Sequence, residues 1–206
     1  GSINQVLNFM KNFDIKNWYN KNIDKYANNL SASFLAKEEL NLFTKYIPHG
    51  SKILDVGSGL GQDTEYLSKK GYITVGIDFS KEMIKYSLDK RKAGIFINVD
   101  FFKIGSILGG NIFGGLWAAS SVLTHINKSG LKIFFKEAKR LLLPGGILGV
   151  IVRKDKPKNT NLLFNNFSKN EIEALLVGSG FKLIKTREFK VGKAIWFFLI
   201  SKKHVG

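Results

Sequence analysis

The chain has 206 residues, 44% of them hydrophobic, with 32 Lys and Arg against 16 Asp and Glu, a formal net charge of +16 and no cysteine. That length suits one compact domain with a two-sided core. The missing cysteines exclude disulfides, thiolate metal sites and any cysteine nucleophile. No apolar run reaches the roughly 20 residues that cross a bilayer, because LLLPGGILGVIV is broken by Pro144, Gly145 and Gly146.

The opening stretch INQVLNFMKNFD lacks the basic-then-apolar pattern of a secretory signal, so a cytoplasmic protein is expected. Residues 1–50 read as a helical cap segment, with Phe34, Leu35, Leu42, Phe43, Tyr46 and Ile47 spaced to form one buried stripe. Pro48 and Gly50 end it. From residue 51 to 206 short β-rich runs alternate with helical patterns, as in a parallel sheet covered on both faces. Strands are predicted at 52–57, 72–78, 95–100, 115–121 and 147–153. Ser80 is placed to cap a helix with Glu82 in its first turn. Ser168 and Glu171 form a capping box, and Gly178 or Gly180 can stop the helix that follows. FKLIKTREFK and AIWFFLISKK are separated only by VGK, which is too short for a crossover and so predicts a hairpin with one antiparallel strand. Trp117 and Trp196 fall in strand-like runs and are expected to pack in the core.

The chemistry concentrates in ILDVGSGLG. A hydrophobic strand runs into Gly57, Gly59 and Gly61, which let the backbone turn tightly and approach a ligand. Asp78 ends the next strand about 20 residues on, where a carboxylate can accept ribose hydroxyls. A nicotinamide dinucleotide fits less well: its third glycine is replaced by Gln62, and Asp55 before the turn would repel a pyrophosphate. A cationic cofactor is favoured.

With these motifs, residues 52–200 resemble the class I, Rossmann-like methyltransferases. The resemblance implies an α/β three-layer sandwich with a mostly parallel seven-stranded sheet ending in an antiparallel hairpin, and S-adenosylmethionine as cofactor. Asp55, Gly57, Ser58, Gly59 and Gly61 resemble the first cofactor motif, with Asp63 beyond them. Asp78 and Phe79 resemble the ribose-binding position, Asp100 and Phe101 the adenine-binding one, and Met83 joins the same set. RLLLPGGILGVIV resembles the helix, turn and fifth strand of such enzymes, with Pro144 and Gly145 shaping the turn.

GLWAASSVLTHI, Tyr19, Tyr26 and FSKNEIEALLVGSGF resemble small-molecule methyltransferases of the tellurite-resistance and ubiquinone-biosynthesis type. That likeness implies Ala119 and Ser120 beside the sulfonium, and Tyr19 and Tyr26 on a helix that closes over the cofactor; simple core packing is the competing reading of both tyrosines. His125, after the fourth strand, is either a base facing the acceptor or a structural histidine. Arg153, at the end of the fifth, either pairs with an anionic acceptor or solvates the sheet edge. His49 and His204 have no metal-ligand spacing, and no metal is expected.

AASS after the fourth strand lacks the Asn/Asp-Pro-Pro-aromatic motif of enzymes methylating adenine or glutamine nitrogen, and cytosine C5 chemistry needs an absent cysteine. The loop KDKPKNTNLLFNN and the amino-terminal helices are the additions that would carry specificity. The expected activity is direct in-line methyl transfer to a small-molecule acceptor. Only four basic residues are arginine, the residue suited to bidentate phosphate contacts. An RNA methyltransferase using the lysine-rich surface is therefore the alternative, beside a non-catalytic cofactor-binding protein.

Overall fold

The computed structural model describes residues 15–30, 36–119, 122–154 and 167–205. Three helices come first: α1 (15–21), α2 (Ile23–Leu30) and α3 (Lys37–Thr44). The alternating part follows as β1 (Lys52–Val56), α4 (Gln62–Lys69), β2 (Ile73–Asp78), α5 (Lys81–Lys90) and β3 (Ile95–Asn98). A 3₁₀ turn (Phe101–Ser106) leads to β4 (Phe113–Ala119), α6 (Val122–His125), α7 (Lys128–Leu141) and β5 (Leu142–Arg153). The chain closes with α8 (Lys169–Gly178), β6 (Phe181–Val191) and β7 (Ala194–Lys203).

The seven strands form one sheet in the order β3-β2-β1-β4-β5-β7-β6. β1 to β5 run parallel, whereas β7 lies antiparallel between β5 and β6. The hairpin follows from its two-residue connection, Gly192 and Lys193, which leaves no room for a crossover. The order reverses between β1 and β4, so a crevice opens beyond their carboxyl ends.

Alternation along each strand divides the core. Leu54, Leu116, Leu148 and Val150 meet Phe134 and Phe135 of α7 and Leu176 of α8 on one face. Ile53, Trp117, Ile151 and Phe198 meet Leu40 and Phe43 of α3 and Leu67 of α4 on the other. The predicted caps are present. Ser80 Oγ accepts from Met83 N at 3.3 Å, Ser168 and Glu171 form the capping box, and Gly180 takes the left-handed conformation (φ +85°) just after α8.

Two expectations are corrected. The buried stripe of α3 and its extension runs through Leu40, Phe43 and Ile47, at steps of three and four, and leaves Tyr46 40% exposed on the adjoining side. Phe34 and Leu35 lie outside the described residues. β5 starts at Leu142 and not at 147: the ladder pairs Phe113 with Leu142 and then Gly115 with Ile147. Pro144 and Gly145 (φ +75°) therefore lie in a bulge within one long strand.

Candidate functional site

β1 delivers the chain into a turn in which Gly57, Gly59 and Gly61 all have left-handed φ, +70°, +51° and +73°. Gly57 N and Ser58 N both donate to Ile77 O, which ties the turn to β2. A Cβ on Gly61 would sit 2.6 Å from the Phe96 ring, so glycine is required there for packing as well as for φ. At Gly59 a Cβ would meet nothing within 4 Å, so the turn has open space above it. Arg91 clamps the far side: its Nε donates to Leu60 O at 2.7 Å, and its guanidinium pairs with Glu65 at 3.3 Å.

Three carboxyl groups converge on this turn. Asp78, at the end of β2, accepts from Gly59 N on one oxygen (3.0 Å) and Ser80 N on the other (2.8 Å). Its burial pushes the carboxyl up to about 6, against the pull of those two amides. Asp55, on β1, accepts from the buried Thr64 hydroxyl at 2.6 Å. Burial first, then the charges of Asp63 and Asp78, hold it well above the usual carboxylate range. Asp63, in the first turn of α4, accepts from Trp117 Nε1 at 2.8 Å; burial raises it to about 6 while that N–H draws it down. Among the described residues no basic side chain is among the hydrogen-bond or ion-pair partners of these three.

Ser80, fully buried, donates through Oγ to Asn20 Oδ1 of α1 at 2.7 Å. Tyr19, the preceding residue, meets the Phe79 ring edge-on at 6.2 Å between centroids, and its Oη lies 3.2 Å from His125 Nε2. α1 thus bridges the ends of β2 and β4 across β1, which lies between them in the sheet. Under it Asp78 and Met83 are only 6% and 2% exposed.

The other candidates are placed as follows. The Asp100 carboxylate caps the 3₁₀ turn, accepting from Phe102 N at 3.0 Å. The Phe101 ring turns inward and packs on Phe134 at 4.8 Å. Ala119 is the last residue of β4, half-buried and paired with Ile151. Arg153 ends β5 with its guanidinium over the half-buried Trp196 ring at 5.6 Å. The Ser58 hydroxyl is buried and lacks a hydrogen-bond partner among the described residues. Ser120, the Tyr26 side chain and residues 155–166 of the loop after β5 lie outside the described residues.

Sequence reasoning passed over Thr64, Gly76, Asn20 and the polar end of Trp117. Gly76 on β2 is the most legible in retrospect, since a Cβ there would sit 2.5 Å from Thr64 Oγ1 and 2.9 Å from Ser58 Cβ. It supplies the close helix-to-strand approach for which the third dinucleotide glycine is used.

A strand order that reverses at β1/β4 and ends in a reversed hairpin, with a left-handed glycine turn facing an acidic strand end, defines the class I methyltransferase fold. Residues 54–150 match the family model described as a methyltransferase domain. The chain is similar to the mitochondrial ubiquinone biosynthesis O-methyltransferase of Rattus norvegicus, 29% identical over 186 residues that cover 74% of this chain and 52% of that protein. It is also similar to phosphoethanolamine N-methyltransferase 1 of Arabidopsis thaliana, 30% identical over 125 residues, 58% of this chain and 24% of the relative. The chain thus spans about a quarter to a half of the length of these curated relatives. Among solved structures, 1,6-didemethyltoxoflavin-N1-methyltransferase of Burkholderia thailandensis, with bound 1,6-didemethyltoxoflavin and S-adenosylhomocysteine, superposes with a TM-score of 0.75 at 15% identity, over 92% of this chain and 87% of that one. No helix among the described residues is long and apolar enough to cross a membrane.

Proposed function

We propose that the chain transfers a methyl group from S-adenosylmethionine to a small-molecule acceptor. The observation that carries this is the meeting of Asp55, Asp63 and Asp78, none with a basic partner among the described residues, around open space above Gly59. Buried carboxyls left short of a cation are complementary to a ligand bearing an ammonium and a sulfonium and repel a pyrophosphate. Asp78 keeps acceptor capacity on both oxygens beyond its two amides, as a ribose diol requires. Asp55, Gly57, Ser58, Gly59, Gly61 and Asp63 would hold the amino-acid end, and Phe79, Met83 and Asp100 the nucleoside end.

When bound, the sulfonium supplies an electrophilic methyl group, so no covalent enzyme intermediate is needed. The protein's part is to align the acceptor, exclude water and, for a hydroxyl or ammonium acceptor, remove a proton. His125 would perform that last task, with Tyr19 Oη 3.2 Å from its Nε2 orienting the ring. α1 would act as a cap that shuts the crevice through Asn20 and Tyr19. Arg153 at the end of β5 would meet an anionic group of the acceptor. The small molecules for which similar proteins are named, phosphoethanolamine and 1,6-didemethyltoxoflavin, support a small-molecule acceptor over RNA. The test is to incubate the protein with methyl-labelled S-adenosylmethionine and either a macromolecule-free metabolite extract or total RNA. Label entering the small-molecule fraction supports the reading, and label entering RNA alone overturns it.

A further inference from the structure

The two edges of the sheet are built differently. Along β6 the chain carries Lys182, Lys185, Arg187 and Lys190, and its ladder with β7 shifts register between Leu183 and Lys185. Charged side chains and a bulge are the features by which an exposed edge resists adding another strand. β3, the opposite edge, reads Ile95, Phe96, Ile97, Asn98, with no charge, no proline and an unbroken register against β2.

Ile95 and Ile97 share one face and are 51% and 47% exposed, next to Ile73 of β2 at 50%. β3 is joined to β4 through a 3₁₀ turn, so among the described residues no helix covers these isoleucines. Phe96 points to the other face, over Gly61. Val99 N–H bonds back to Asp78 O at 3.0 Å. By alternation the N–H and C=O of Phe96 and Asn98 then point away from β2, and no strand among the described residues receives them.

We propose that β3 is the seat of a two-fold dimer, in which the β3 strands of two copies of this chain pair antiparallel with Phe96 opposite Phe96. This register joins the outward-facing backbone groups of Phe96 in one copy to those of Phe96 in the other. It sets Ile95 of each copy against Ile97 of the other, closing four isoleucines into one apolar cluster. Lys92 and Asp100 each stand four residues from Phe96, on opposite sides, so the same two-fold brings Lys92 of one copy to Asp100 of the other at both ends. An apolar strand flanked symmetrically by opposite charges is complementary to itself, and that identifies a second copy as the occupant. Long-range repulsion between two chains of net charge +16 is screened beyond about 8 Å at physiological ionic strength.

The test is analytical ultracentrifugation of the whole chain in about 0.15 M salt, from about 1 to about 500 µM, a range that spans weak to moderate affinities. The expected result is a concentration-dependent shift from monomer to dimer that Ile97→Lys abolishes. Lys92→Asp, at an exposed position, should weaken the dimer, whereas Lys92→Arg, which keeps the charge, should preserve it. A wild-type protein that stays monomeric throughout would overturn the proposal. So would a dimer that neither Ile97→Lys nor Lys92→Asp weakens in proteins with wild-type circular dichroism; if Ile97→Lys does not fold, the Lys92 pair decides.

Discussion

Asp78 illustrates how one side chain serves two states. In the free protein its carboxyl is raised to about 6 by burial, and so is that of Asp63. A carboxyl raised above its ordinary 3.8 favours the protonated fold, so the stability it contributes is complete below about pH 4 and lost as pH rises through about 6. A bound cation reverses that preference. Affinity for S-adenosylmethionine should therefore rise with pH up to about 6 and level off above it, and rise more steeply than that of a neutral adenosine fragment, which shares the ribose contact with Asp78 but offers no cation to Asp63; titration calorimetry between pH 5 and 8 checks this. Thr64 is the structural counterpart. Thr64→Val deletes the donor to a buried Asp55 oxygen at 2.6 Å, and an unsatisfied buried acceptor costs about 1–3 kcal/mol, readable as a lower urea midpoint. Asp55 and Asp78 were legible from the sequence because strand ends beside a glycine turn are marked by local pattern. Thr64, Asn20 and the indole N–H of Trp117 were not, since each meets its partner through the fold and carries no local signature. The direction of the Phe101 ring was not legible for the same reason: adjacency to Asp100 says nothing about which way it turns.

At the scale of elements, the turn and α4 depend on β2 giving way to them. Gly76→Ala would place a methyl group 2.5 Å from Thr64 Oγ1 and 2.9 Å from Ser58 Cβ, inside a contact that cannot relax without moving the glycine turn. Overpacking of this kind costs about 1–3 kcal/mol, and cofactor affinity should fall with stability; thermal unfolding with and without ligand checks both. The proposed role of α1 is that of a latch. Asn20→Ala removes the acceptor of the buried Ser80 hydroxyl, so cofactor association and dissociation measured by stopped flow should both quicken several-fold, whereas unchanged rates would show that α1 does not gate the crevice. Caps and the hairpin were readable beforehand because each is encoded within a few residues: Ser80 before a helical run, Ser168 with Glu171, a short link between two alternating runs. The bulge in β5 was not, because Pro144 and Gly145 read equally as a turn between elements, and only the ladder with β4 shows that the strand continues through them.

For the whole molecule, composition and alternation set the class of fold, and the seven-stranded order with one reversed strand follows from five crossovers and one hairpin. Net charge did not distinguish among partners: +16 is spread mostly over lysines, while three of the sixteen acidic side chains, Asp55, Asp63 and Asp78, meet at the glycine turn without a basic partner among the described residues. That separation is the account's central claim, a basic surface around a buried acidic socket built for a cation. Isothermal titration of the protein with S-adenosylmethionine, with NAD and Asp78→Ala as controls, tests it most directly. Micromolar-range binding of the sulfonium cofactor, weakened by about 1 kcal/mol or more in Asp78→Ala, is the expected result. Binding of NAD alone, or of neither ligand, would contradict it.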